Sequence, residues 1–242
     1  ELAAMPLDPR VARMIVAARD EGCLAEMLVI ASALTVQDPR ERPQERQGSA
    51  DAAHQKFADE KSEFLAWLKL WNWYAGELEH KKSQRKLVQA CHENFLSALR
   101  MREWHDIHNQ LHALATEHGW KENQLPANYD AVHRALLSGL LGNIGCKSED
   151  SGHYLGARGI KFLIHPGSAL NKKAGKWVAA AEITETSKLF ARCVARIEPE
   201  WLEKVGGHLL KKSYFDPHWE KKAMQAVAFE RSTLYGIVVN PK

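Results

Sequence analysis

Two groups of side chains in the second half of the chain have the types and spacing to bind a polyanion. His165-Pro166-Gly167-Ser168 stops the apolar run 160–164, and a Gly-containing loop with Lys172, Lys173 and Lys176 follows. Thr186-Ser187-Lys188 closes a second segment that begins near Trp177 and turns polar at Glu182. Hydroxyls and ammonium groups gathered in loops suit phosphate oxygens better than they suit an enclosed small-molecule pocket. The competing reading is a β-hairpin with a solvated basic loop. In the first half, Gln37-Asp38-Pro39-Arg40-Glu41-Arg42-Pro43 presents Arg40 and Arg42 on a loop that its two prolines keep out of helix. The competing reading there is a solvated connector, with Arg40 tying the loop to a neighbouring helix.

Other constellations fall short of a site. His105, His108 and His112 recur at spacings of three and four, which could place two imidazoles on one zinc ion. No Cys or carboxylate cluster completes the set, so no metal is expected. Ser168 and His165 have neither an acid partner nor a G-x-S-x-G elbow. Glu182 and Glu185, three apart in a strand, are expected to face opposite sides. The chain has no G-x-x-x-x-G-K-[ST] loop and no G-x-G-x-x-G after a strand. No catalytic residue is assigned, and the chain alone is expected to hydrolyse nothing.

The elements that must position these groups change character along the chain. Asp8-Pro9 is a helix start, and Val11, Met14, Ile15 and Ala18 recur at helical spacing up to Gly22. Residues 23–36 form a helix apolar on most sides, hence buried. Helices are predicted over 44–59, 62–79, 94–119 and 129–142. The stripe Phe64, Leu65, Leu68, Trp71, Trp73 and Tyr74 reads as core before it reads as a base-stacking surface. From His153 the chain turns to short β-rich runs punctuated by Gly and Pro. Strands are predicted over 153–157, 160–164, 177–183 and 189–197. A helix over 199–210, a loop over 211–222 and a closing hairpin over 226–239 follow. The expected fold is α+β and multidomain: a helical bundle over 1–145, then an oligonucleotide-binding (OB) β-barrel with an interposed helix over 146–242.

Composition sets the class. The chain has 242 residues, 45% hydrophobic and 26% charged, as in a soluble globular protein. A net charge of +3 is too small to argue for nucleic acid, so local clustering must carry that claim. Cys23, Cys91, Cys146 and Cys193 are widely spaced, without C-x-x-C, and read as reduced thiols of a cytoplasmic protein. No apolar run reaches the ~20 residues that span a bilayer, so no membrane partner is expected. The start, Glu1-Leu2-Ala3-Ala4-Met5, lacks the features of a signal peptide and is expected to lie inside a longer protein.

Separated motifs then converge. Met5-Pro6-Leu7-Asp8-Pro9, continuing to Met14, resembles the P-L-D-P-x-x-x-x-M segment that ends the winged helix of DEAH-box RNA helicases. Gly22-Cys23 with the following apolar helix and the Gln37–Pro43 loop resembles the start of the family's helicase-associated ratchet region. Ile164-His165-Pro166-Gly167-Ser168-Ala169-Leu170 resembles I-H-P-x-S-x-L of its OB fold. Trp177-Val178 through Glu182 and Thr186-Ser187-Lys188 resemble W-V-x-x-x-E-L-x-x-T-T-K. Gly167 and Ser187 stand where family chains commonly have Ser and Thr. The whole chain is covered in order. Its Q-D-P-R-E-R-P form, with residues 154–159 and 217–222, is most similar to the bacterial HrpA-type helicases.

The resemblance implies a mechanism. Two RecA-like domains, absent here, would bind ATP and Mg²⁺ and grip single-stranded RNA. This region would line the other wall of the RNA tunnel while the motor moves 3′ to 5′. The residues expected to touch RNA are Arg40, Arg42, His165, Ser168, Thr186, Lys188 and Arg192, the cations at phosphates and the hydroxyls at backbone oxygens. No cofactor is expected in this fragment. The other reading is a scaffold whose OB fold docks a protein partner, as in some eukaryotic relatives.

Overall fold

The computed structural model describes residues 7–80, 83–149 and 152–241, with the side chains of 240 and 241 left aside. The Met5-Pro6 start of the first motif, and residues 150 and 151 of the polar run after Cys146, lie outside the described residues. The chain divides into two compact units between Gly139 and Leu140, ahead of the 145/146 boundary expected from composition.

The first unit is helical: α1 (Pro9–Glu21), α2 (Leu24–Thr35), α3 (Gln47–Gln55), α4 (Glu63–His80), α5 (Gln84–Glu93), α6 (Ala98–Glu117) and α7 (Tyr129–Leu140), whose last residue opens the second unit. Asp8 Oδ1 accepts from the Arg10 amide at 2.8 Å, capping α1 as its Asp-Pro start predicts. Gly22 ends α1 at φ 70°, a left-handed cap that costs glycine no side-chain clash. As its all-round apolar sequence requires, α2 is buried from Leu24 to Ala33 on most sides. Of the aromatic stripe, Phe64 and Tyr74 are buried and Leu65, Leu68, Trp71 and Trp73 half-buried; in the core beside them Trp67 and Trp104 meet edge to face at 5.6 Å, and Trp104 Nε1 donates to the Val29 carbonyl and Ser32 Oγ. Arg134 of α7 holds Glu21 of α1 through two nitrogens, at 2.9 and 3.1 Å. Gly139 of α7 lies hard against α1: a Cβ there would sit 2.3 Å from the Arg10 carbonyl oxygen.

In the second unit β1 (Ile144–Lys147), β2 (Tyr154–Gly156), β3 (Lys161–Ile164), β4 (Trp177–Glu185) and β5 (Leu189–Arg196) close a barrel in the order β1-β2-β3-β5-β4. The α+β expectation, helices followed by a five-stranded barrel, is the observed architecture. The strands flanking the basic loop are not a hairpin, however. β3 pairs with β2 and runs parallel to β5, while β4 pairs with β1 and β5. Tyr154, Phe162, Ile164, Val178, Ala180, Ala191 and Val194 fill the interior.

That core requires a change of phase. Val178 and Ala180 point inward on β4, but so does Ile183; on β5 Ala191 and Val194 both do. Strict alternation forbids either pair. The slip falls at the rung of Ala181 and Cys193, which is missing from an otherwise continuous register, and Cys193 adopts φ 54°.

After β5 come α8 (Pro199–Gly206) and a three-stranded antiparallel sheet, β6 (Lys211–Glu220), β7 (Gln225–Leu234) and β8 (Ile237–Pro241). This corrects two expectations. Residues 211–220 are a strand and not a loop, and the terminal hairpin belongs to its own sheet and does not close the barrel. Pro217 disguised the strand; it sits where the β6–β7 register shifts between Phe215 and His218, so its missing N–H removes no ladder bond.

Candidate nucleic-acid interface

Pleating assigns the outer face of the barrel. With Phe162, Ile164 and Ala191 inside, Lys161, Leu163, Phe190 and Arg192 face outward. Leu163 pairs with Phe190, Leu155 with Lys161, and Thr184 with Phe190. Leu155 is 40% exposed, so this face mixes apolar surface with cations.

The five expected residues of the second unit lie on this face or the loops that border it. The His165 amide donates to the Ala191 carbonyl at 3.0 Å, and its ring meets Phe190 edge to face at 5.8 Å. His165 Nδ1 accepts from the Gly167 amide at 3.0 Å, which leaves Nε2 to carry the proton of the neutral ring. Ser168 Oγ accepts from the Leu170 amide at 3.1 Å, so its hydroxyl shapes the turn while its own proton stays available. Thr186 and Lys188 form the turn joining β4 and β5, where the Thr186 amide donates to the Lys188 carbonyl. Lys188 and Arg192 are exposed, and Arg192 Nε donates to Thr184 Oγ1 at 3.4 Å. Lys172, Lys173 and Lys176 are exposed on the β3–β4 loop. Carboxylates keep to β4: Glu182, opposite Arg192, and Glu185 are both exposed.

Arg40 and Arg42 belong to the first unit and are engaged there. Arg40 makes two bonds to Asp38, at 2.8 and 3.1 Å, and its guanidinium lies 4.6 Å from the Trp67 ring centroid. Backbone bonds Glu41 to Phe95 and Ser97 to Pro39 strap the loop down, and Arg100 donates to the Asp38 carbonyl. Arg40 therefore ties the loop to α4, the alternative weighed from sequence. Arg42 pairs with Asp51 through Nε and Nη2 on the open surface, and each partner holds the other's charged form. Missed from sequence were Lys161, Leu155 and Phe190; the alternation about Phe162 was the signal that could have found them.

The histidine row of α6 is structural. Trp71 lies 4.4 Å from His108 and 5.9 Å from His105, and His112 pairs with Glu122. Burial holds the His108 ring below its ordinary pKa, toward the neutral form. Among the described residues no group of three or more His, Cys, Asp or Glu could hold a metal ion. Among them also no helix is long and apolar enough to cross a membrane.

Known proteins share both parts. Residues 8–97 match the helicase associated domain (HA2), ratchet-like, and residues 132–209 match the oligonucleotide/oligosaccharide-binding (OB) fold. The chain is 49% identical over 239 residues to an ATP-dependent RNA helicase HrpA homolog of Haemophilus influenzae, and 46% identical over 239 residues to ATP-dependent RNA helicase HrpA of Escherichia coli. Along nearly its whole length the chain is similar to one segment of the HrpA-type RNA helicases, and within that length it matches the helicase-associated and OB-fold models. Each of the two relatives matches 99% of the chain, over 18% of its own length. A pre-mRNA-splicing factor ATP-dependent RNA helicase, prp22 of Schizosaccharomyces pombe, is 27% identical over 212 residues, 87% of the chain and 18% of that protein. The expected order, ratchet region and then OB barrel, is the order of the two family matches.

Proposed function

We propose that this chain is a guiding wall for single-stranded RNA in a cytoplasmic, ATP-dependent 3′–5′ helicase of the DEAH-box, HrpA type. RecA-like domains elsewhere in such a protein use ATP and Mg²⁺, and this region supplies backbone contacts and no hydrolysis. The observation that carries the reading is the outer barrel face, where His165 stands on Phe190 beside Arg192 and the Thr186–Lys188 turn. OB folds bind oligonucleotides through the face of strands 2 and 3 and through the loops after strands 1 and 4. Here those features are the β2–β3 face and the 186–188 turn. Lys188, Arg192 and the loop lysines would neutralise phosphates, and the His165 Nε2 proton and the Ser168 and Thr186 hydroxyls would donate to backbone oxygens. Arg40 and Arg42 join them by exchanging Asp38 and Asp51 for phosphate.

The test is fluorescence anisotropy of labelled single-stranded RNA against this chain, at low and at moderate salt. Weak binding that falls steeply with salt is expected. Saturable capture of a protein partner with no RNA affinity at low salt would favour the scaffold reading.

A further inference from the structure

The matched OB segment ends at residue 209, and the β6–β7 ribbon lies wholly beyond it. Its base is anchored: Ser232, Leu234, Ile237 and Val239 are buried, and Leu234 packs near Gly206 of α8. The rest stands clear. Every residue of β6 is exposed, including Tyr214 at 65%, Phe215 at 43% and Trp219 at 59%. A ribbon with neither face covered leaves its apolar side chains in water, and such a surface marks an interaction site.

The register sorts those side chains. Phe215 faces Phe229 across the strands, with ring centroids 5.6 Å apart in a stack. His218 lies 5.6 Å from Phe229, and the Arg231 guanidinium lies 4.9 Å from the Phe215 ring. One face therefore carries Phe215, Phe229 and His218 with Arg231 beside them, and Glu220, paired with Gln225, falls on it at the far end. Glu230 is on the opposite face with Tyr214 and Trp219, and is occupied by Lys212 at 3.0 Å and by the Tyr214 hydroxyl at 3.1 Å. From 211 to 234 Lys211, Lys212, Lys221, Lys222 and Arg231 oppose Asp216, Glu220 and Glu230. Rings interleaved with cations are the surface on which unpaired bases stack while phosphates are neutralised.

The base of the ribbon is also tied to the barrel. The Arg158 amide donates to the Tyr235 carbonyl at 2.8 Å, and its guanidinium lies 5.8 Å from the Tyr235 ring. Arg158 sits in the β2–β3 connection and Tyr235 in the β7–β8 turn, so the base of the ribbon is fastened to the strands that make the outer face.

We propose that the Phe215–Phe229–His218–Arg231 face of the ribbon is a second single-stranded RNA platform, lengthening the footprint that begins on the barrel. The proposal rests on the RNA reading above. It is tested by anisotropy on the 242-residue chain, with a short and a long labelled oligouridine of about 6 and 20 nucleotides, sizes that bracket one OB-fold site. Wild type should bind the long strand more tightly. Phe215→Ala with Phe229→Ala, and separately Lys211→Glu with Arg231→Glu, should remove that length advantage, a loss of about ten-fold, while short-strand affinity stays. Lys188→Glu with Arg192→Glu should weaken both strands. Wild-type affinity of both ribbon variants for the long strand overturns the platform and leaves the barrel reading standing. Loss only in the ribbon variants supports the platform and removes the barrel assignment. No binding of either strand by wild type removes both. Light scattering supplies the last arm: a self-associated wild type that the ribbon variants return to monomer, with RNA affinity unchanged, overturns the proposal in favour of a protein contact.

Discussion

Ser62 Oγ lies 2.6 Å from His133 Nε2, with both residues fully buried in the helical unit. His133 Nδ1 is 2.7 Å from the Tyr129 carbonyl, which can only accept, so Nδ1 carries the proton and the Ser62 hydroxyl donates to Nε2. Ser62 Oγ in turn accepts from the Leu65 amide at 3.3 Å at the start of α4. The pair has the outline of a nucleophile and its base, but burial gives no substrate access, and its role is to join α4 to α7.

That pair makes the fold acid-sensitive. Desolvation lowers the His133 pKa to about 4 from an ordinary 6.5, opposed by the Tyr129 carbonyl and Asp59. The unfolded chain binds the proton more readily, so this contribution is present above pH 6.5 and is lost as pH falls toward 4. The difference corresponds to about 3 kcal/mol. Urea unfolding at pH 7 and at pH 4.5 should show the loss. Ser62→Ala, which orphans Nε2 and removes a cap, should cost about 2 kcal/mol at pH 7.

Gly139 admits no side chain. Gly139→Ala puts a methyl against the Arg10 carbonyl and the Met14 side chain, so α1 and α7 must part. Thermal unfolding should register a loss of about 2 kcal/mol. An unchanged midpoint would mean the helices are not so closely packed.

The two loop arginines should separate by stability. Arg40→Ala removes a guanidinium stacked on Trp67 and bonded to Asp38, and should cost about 1 kcal/mol. Arg42→Ala breaks an exposed pair with Asp51 and should leave the unfolding midpoint where it was. If both arginines also meet RNA, both variants weaken binding and only the first unfolds earlier.

On the barrel, Lys188→Glu with Arg192→Glu should weaken single-stranded RNA binding and flatten its salt dependence. Two neutralised phosphates contribute about 1.4 to the logarithmic slope for a single strand. Anisotropy at several salt concentrations measures it directly.

Thiol chemistry should follow burial. Cys23 is pushed up to about 12 and Cys91 to about 11, chiefly by desolvation, so at pH 8 both remain protonated. Ellman's reagent should titrate neither in the native chain and both in denaturant.

Helices with a one-sided or all-round apolar pattern were legible, as were Asp8 and Gly22 at the two ends of α1. Strands were harder where few residues carry the pattern. β1 has four residues, one of them Gly145, and β6 hides a proline inside a bulge. Of the barrel's candidate residues, His165, Ser168, Thr186 and Lys188 stood out by type and spacing, whereas Arg192 came with the motif resemblance, because the parallel β3–β5 pairing that brings it to His165 is not encoded in local sequence. That Arg40 could tie its loop to a neighbouring helix was legible, but not that the partner is Trp67, 27 residues on in sequence.

The phase slip at Cys193 fixes which chemistry the barrel shows to solvent. Were that rung to flatten into ordinary strand with Val194 kept inside, Arg192 would turn toward the interior and Ala191 would take its place outside. A β-branched residue at 193, which resists the left-handed torsion, pushes the strand that way. One backbone angle thus decides whether the wall offers a cation or a methyl group.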